Sequence, residues 1–186
     1  IAQALESLVS KKSNSQSVEY ASKSLRISIN NYISFLNNPN LKNATEMSIA
    51  ANLAGKAINI SKTTAPHATS YPFTSLFNIS HGHAVGLFFV KFLKFNFNNL
   101  EKSETTFDLK KRFDLIFNLF NVSGINDFNS KISFMKKEAN LEDNLAKLNI
   151  NINQSSENII KGINLLRLGN NPVKIDGKDI YNIISN

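Results

Sequence analysis

The chain of 186 residues has no cysteine and no tryptophan. The first absence excludes disulfides, thiolate metal sites and a cysteine nucleophile together, and it leaves no mark of an oxidising compartment, so the cytoplasm is the expected location. Glycine and proline are scarce, at 7 and 4 residues, against 14 phenylalanines and many isoleucines and leucines. This balance argues against a sandwich of short strands joined by tight turns and for long helices, an all-α chain. No run of eighteen apolar residues occurs, and the most hydrophobic stretch, 84–97, is interrupted by Lys91, Lys94 and Asn96, so no membrane span is expected. A Gly-x-Ser-x-Gly elbow is also missing, which weakens any hydrolase reading.

What the chain does have is an excess of positive charge, 21 Lys and Arg against 14 Asp and Glu, for a net charge of +7. The basic residues are scattered, and the densest groups are only Lys110-Lys111-Arg112 and Lys136-Lys137. A nucleic-acid module would more often interleave basic residues with aromatics on one face, so neither nucleic acid nor a membrane is an expected partner. The abundance of Asn, Lys and Ile reads as codon bias rather than as chemistry. The length suffices for one sizeable core or two small ones. Residues 1–9 already read like the inside of an amphipathic helix, with no Met or signal-type segment ahead of them, so the chain is expected to be a fragment.

Val18, Ala21, Leu25, Ile29, Tyr32 and Leu36 fall at steps of three and four, which predicts a helix over 17–36, stopped by Asn37-Asn38-Pro39-Asn40. Met47, Ala51, Ala54 and Ile58 repeat the pattern over 41–60, and Gly55 among several alanines suggests a close contact there. A mostly buried helix over 84–95 follows the central segment. Phe107, Leu109, Phe113, Ile116, Phe117 and Phe120 make a further stripe. Shorter helices are expected over 130–140, 141–148, 155–168 and 176–184, separated by Asn-rich turns.

The intervening stretch, 61–82, concentrates hydroxyls, and with His83 just beyond it holds all three histidines of the chain. On one continuous helix His67 and His81 would stand about 21 Å apart, too far to share an ion. Pro72, and Asn78-Ile79-Ser80 ahead of His81, allow the chain to reverse between them. His67, early in a short helix opened by Pro66, would then face His81 in the first turn of the next, forming a two-imidazole site that needs oxygen ligands from elsewhere. His83 lies about 200° further round a helix than His81 and should not bind the same ion. Judged by residue type alone, the two histidines serve as well as hydrogen-bonded structural residues as they do as ligands.

Ala54-Gly55-Lys56-Ala57-Ile58-Asn59-Ile60, then Thr63-Thr64-Ala65-Pro66-His67-Ala68-Thr69-Ser70-Tyr71-Pro72, then Ser80-His81-Gly82-His83-Ala84-Val85 closely resemble the metal-binding core of iron-containing alcohol dehydrogenases. Residues 1–7 resemble the first helix of that family's C-terminal domain, and Asn170-Asn171-Pro172 resembles its C-terminal signature. The resemblance implies a multi-helix C-terminal domain of the dehydroquinate synthase-like fold over 1–186. A dinucleotide-binding domain would precede it, and a divalent metal, Fe2+ or Zn2+, would sit in the cleft between the two. His67 and His81 match the family's metal-binding histidines in spacing.

Two positions depart from the pattern. Where the family has a second ligand, a His four residues after an Asp, this chain has Gln3, and the Asp would lie before Ile1. Gln3 can offer a carbonyl oxygen, a weaker ligand than imidazole. The His that often stands four residues after the first retained ligand is here Tyr71, placed to hydrogen-bond the substrate or donate a proton, or simply to pack.

Gln3 with the Thr-Thr-Ala-Pro-His and His-Gly-His-Ala-Val variants resembles the branch that includes phosphonoacetaldehyde reductases, also called hydroxyethylphosphonate dehydrogenases. The implied reaction is hydride transfer between NAD(H) or NADP(H), held mainly by the missing domain, and a small alcohol or aldehyde. Lys62, Thr63, Thr64, Lys56 and His83 are candidate partners for a phosphonate. Two alternatives stand beside this: a reductase of another small or sugar-derived aldehyde, and a non-catalytic basic helical interaction module. Alone, the chain is expected to be inactive and to expose an apolar surface; a homodimer is compatible with either class.

Overall fold

The computed structural model describes residues 1–185 and is all-α: no strand occurs among the described residues, and the sole bridge-like pairing joins Ser103 to Val173. Ten α-helices follow one another, α1 (Ala2–Val9), α2 (Ser15–Asn37), α3 (Leu41–Ser61), α4 (Ala65–Phe77), α5 (His81–Asn98), α6 (Leu109–Phe120), α7 (Ile125–Glu138), α8 (Ile152–Lys161), α9 (Leu165–Leu168) and α10 (Gly177–Ser185). None is long and apolar enough to cross a membrane.

Asparagine sets many of the boundaries. Asn14 and Asn40 each form a reciprocal capping box, with Ser17 and Asn43 respectively, at the starts of α2 and α3. Asn151 and Asn164 accept from the third backbone N–H of α8 and α9. At the other ends, Asn78, Asn121, Asn140 and Asn149 take the left-handed conformation, and no described glycine does. Asn is the residue after Gly that tolerates this conformation best, because its short amide bonds locally. The asparagine content therefore performs capping and chain reversal, which corrects its reading as codon bias and accounts for a helical protein with so little glycine.

Two apolar cores meet along α5. Its Val85, Phe89, Val90 and Leu93 pack with residues of α1, α2, α3, α6 and α7, including Leu5, Leu25, Phe113 and Phe128. Its Ala84, Leu87, Phe88 and Phe92 pack with Phe73 of α4, Ile159 of α8 and Ile180 and Ile184 of α10. A helix buried on two opposite sides must be apolar nearly all round, which is why this stretch is the most hydrophobic of the sequence.

The structure departs from expectation at several elements: the helix expected over 155–168 is broken at 162–164 into α8 and α9, and the one expected over 130–140 begins already at Ile125. Pro72 lies inside α4 rather than ending it, and the reversal comes at Asn78. Residues 141–148 form turns rather than a helix, bounded by left-handed Asn140 and Asn149. The buried stripe of α3 is Asn43, Ala50, Ala54, Ala57 and Ser61, so Ala51 is exposed and a Cβ on Gly55 would meet nothing within 4 Å. The close approach does exist, but it is made by Ala50, whose carbonyl accepts from Ser24 Oγ of α2 at 2.7 Å.

Candidate metal and substrate site

The left-handed turn at Asn78 folds α5 back against α4, and the ring centroids of His67 and His81 come within 5.4 Å at an interplanar angle of 64°. Two imidazoles sharing one ion through nitrogens at ~2.1 Å need a separation of roughly this size. His67 is buried near the N-terminus of α4, whereas His81 opens α5 and reaches solvent.

Glu6 of α1, absent from the expected site, organises it. Its side chain is 1% exposed and accepts from Thr64 N at 3.2 Å and from His67 N at 3.1 Å, while its Oε2 lies 2.7 Å from His67 Nδ1. The carboxylate thus does what the side chain of Thr64, the N-cap residue, does not: it caps α4, where a helix favours negative charge. A carboxylate only accepts, so His67 Nδ1 carries a proton, and Nε2 is the ring atom left to present a lone pair to a ligand.

Ser70 performs the same service for His81. Its Oγ donates its one proton to the His67 carbonyl at 2.8 Å, so at 3.3 Å it accepts from His81 Nδ1–H. His81 Nε2 is then unprotonated too. Burial, His67 and the Arg167 charge hold the His81 pKa below its ordinary value, against an opposing pull from Glu6, which favours the neutral ligand form.

Gln3 lies half-buried one helical turn ahead of Glu6, on the same face of α1. Two imidazoles, one backed by a buried carboxylate, with an amide oxygen on the adjoining helix, are donors that fit a divalent cation such as iron or zinc. They form only part of a coordination sphere: among the described residues no three His, Asp or Glu gather as an ion would require.

Tyr71 packs beside the pair, its ring centroid 5.5 Å from that of His81. Four of the five candidate phosphonate partners have side-chain contacts of their own. His83 Nε2 lies 2.7 Å from the Glu142 carbonyl, Lys62 Nζ bonds the Asn59 carbonyl at 2.7 Å, and Lys56 lies over the Tyr20 ring. Thr63 and Thr64 are buried, and Thr63 Oγ1 accepts from Arg167 Nη1. Arg167, whose guanidinium stands 5.7 Å from the centroid of the Tyr71 ring, was not among the expected residues. The signals for the two omissions were slight: a single acid within an apolar helix for Glu6, and a lone cation in Leu-Leu-Arg-Leu for Arg167. An apolar pocket of about 200 Å³, lined in part by Ile1, Ala2, Gly82 and Phe89, includes the residue that follows His81. A larger cleft of about 570 Å³ along 145–153 contains no histidine.

Two imidazoles turned toward each other at the start of the central helix define a candidate metal site on an all-α fold. The sequence matches, over residues 1–186, the Fe-containing alcohol dehydrogenase family, C-terminal, and the chain belongs to that family. Similar folds include a sulfoacetaldehyde reductase from Bifidobacterium kashiwanohense in complex with NAD+ (22% identity, TM-score 0.84, 99% of this chain and 46% of that one). An archaeal halo-thermophilic alcohol dehydrogenase from a Red Sea brine pool shares 19% identity at a TM-score of 0.87, over 99% of this chain and 47% of its own. The alcohol dehydrogenase from Oenococcus oeni shares 19% at 0.81, over 99% and 48%. The chain thus spans about half the length of these proteins. Among curated proteins, none matches the sequence.

Proposed function

We propose that this chain is the metal-binding half of a cytoplasmic NAD(P)-linked aldehyde reductase that converts phosphonoacetaldehyde to 2-hydroxyethylphosphonate. The observation that carries this reading is the convergence of His67 and His81 with both Nε2 atoms free, on a chain of the iron-type alcohol dehydrogenase family. His67 and His81 hold the cation, with Gln3 as a further oxygen donor and the nicotinamide bound mainly by sequence outside this chain. When bound, a divalent ion of this kind supplies Lewis acidity toward the reacting oxygen.

The chain's own residues do the rest. Glu6 and Ser70 fix the two imidazoles in the tautomer that presents Nε2. Tyr71 flanks the substrate, and its phenol hydrogen-bonds the oxygen that becomes the alcohol. Thr63 and Thr64 shape the buried wall beside it. Lys62 and His83 reach the phosphonate only by leaving the carbonyls they now bond.

Reduction of a related anionic aldehyde is the second reading, favoured by the similarity to a protein named as a sulfoacetaldehyde reductase. Metal analysis of the full-length protein tests the site: about one ion per chain is expected, and it should be lost in His67→Ala. A full-length protein that takes up no ion with both histidines intact would point instead to a non-catalytic helical module. Rates with phosphonoacetaldehyde, sulfoacetaldehyde and butyraldehyde under NADH and NADPH then identify the substrate and the nucleotide.

A further inference from the structure

Arg167 is a cation close to the two imidazoles, set against the same Tyr71 ring that lies beside His81. Among the described residues it has no Asp or Glu partner, whereas other cations of the fold, such as Lys11, Lys110, Lys136 and Lys161, each pair with a carboxylate. Its guanidinium is held on two sides, by the hydroxyl of Thr63 and by the face of Tyr71. Thr63 is itself fixed: it is 1% exposed, and its carbonyl accepts from Asn170 Nδ2 at 3.2 Å. An arginine has five N–H donors in a planar fork, and Thr63 engages one nitrogen, so the other donors remain for a ligand.

Tyr71 places this fork relative to the reaction centre. The same phenol ring lies against His81 and under Arg167, so the guanidinium sits one aromatic ring away from the imidazole pair. The positive field of a guanidinium without a carboxylate partner attracts an anion to the mouth of the site.

We propose that Arg167 is the specificity-determining residue of the site, binding the tetrahedral oxyanion of a short phosphonate- or sulfonate-bearing aldehyde through its free N–H fork. This rests on the reductase reading and deepens it, because it assigns recognition of the anion to Arg167 and Thr63 rather than to Lys56, Lys62 or His83. Bidentate N–H bonds to two oxygens of one headgroup would anchor it. The aldehyde end would then project across the Tyr71 ring toward His67 and His81.

The test uses the full-length protein in two measurements. In the first, calorimetry follows ethylphosphonate, a non-reactive probe, with ethanesulfonate as the second arm and propanol as the neutral control. Wild type should bind one or both anions and not propanol. Arg167→Met should weaken binding at least tenfold, and Arg167→Lys should recover part of the loss, as a point charge without the fork. The arm with the tighter binding distinguishes phosphonate from sulfonate.

In the second, kcat/KM for phosphonoacetaldehyde and sulfoacetaldehyde is divided by that for butyraldehyde, and Arg167→Met should lower this ratio about a hundredfold, mainly through KM. An unchanged anion affinity in Arg167→Met, or an unchanged ratio, overturns the proposal. Should Arg167→Met not fold, Thr63→Val serves in its place. It keeps the charge but removes its anchor, and it should weaken ethylphosphonate severalfold; equal affinity there overturns the proposal too. A protein that reduces no aldehyde refutes the reductase reading, while the ethylphosphonate titration still decides the role of Arg167.

Discussion

Glu6 joins two helices and two tasks in one carboxylate. It neutralises the start of α4 through Thr64 N and His67 N, and it holds His67 Nδ1 at 2.7 Å. Glu6→Gln preserves the volume and keeps one accepting oxygen, but the amide has only that oxygen for three N–H groups and adds two donors of its own. Zinc affinity of the full-length protein, measured against a competing chelator, should fall about 10- to 100-fold, the usual effect of removing a carboxylate behind a ligating histidine. Equal affinity in the two proteins would show that His67 does not need the carboxylate to present Nε2. The convergence of the imidazoles was legible in the sequence because Asn78-Ile79-Ser80 announces a reversal between them, whereas Pro72 continues the helix it was expected to end. Glu6 and Arg167 were not, because each acts on residues about 60 to 100 positions away, and no local pattern encodes such a meeting.

At the scale of the helix, α4 explains how a proline can be accommodated in an interior turn. Pro72 has no N–H to give the carbonyl four residues back, that of Ala68, and this carbonyl accepts instead from Asn164 N at 3.3 Å. The bond is possible because the end of α8 runs against Pro72, where a Cβ on Gly162 would stand 2.9 Å from that of Pro72. Gly162→Ala should therefore destabilise the protein by about 1–3 kcal/mol through overpacking. Gly55→Ala should stabilise it by up to about 1 kcal/mol, since the added methyl meets open space on a helix. Urea unfolding of the two variants in the full-length protein checks both, and the same sign for both would refute this account of the glycines. The long helices were readable from their apolar spacing, within a few residues at each end. The phase of the α3 stripe and the turns over 141–148 were not, because the first depends on which neighbour is met and the second on left-handed asparagines that no periodicity reveals.

The whole molecule is two cores sharing one helix, and the candidate site occupies the seam at one end of that helix. Glu6 comes from the side of the first core, His67 from that of the second, and His81 begins the shared α5. Toward the other end of α5, buried Asn96 and Asn171 exchange amide bonds of 3.2 and 2.7 Å, and Asn171 Nδ2 also donates to the Val173 carbonyl at 2.7 Å. Around this pair, the carbonyl of Asn170 accepts from Lys11 N, its side chain donates to the Thr63 carbonyl, and Pro172 O accepts from Glu104 N. The Asn-Asn-Pro segment therefore ties the α1–α2 turn, the α3–α4 link and α5 to one another, and through Thr63 it supports Arg167. Asn171→Ala leaves Asn96 buried with an unpaired amide, which should cost about 2–3 kcal/mol. Replacing both residues with Leu should cost less than the sum of the two single replacements, because the second change removes a group already left without its partner. A double-mutant cycle by thermal unfolding of the full-length protein measures that coupling. Strict additivity would mean that the two amides do not depend on each other, and that the far end of α5 is held by its apolar contacts alone.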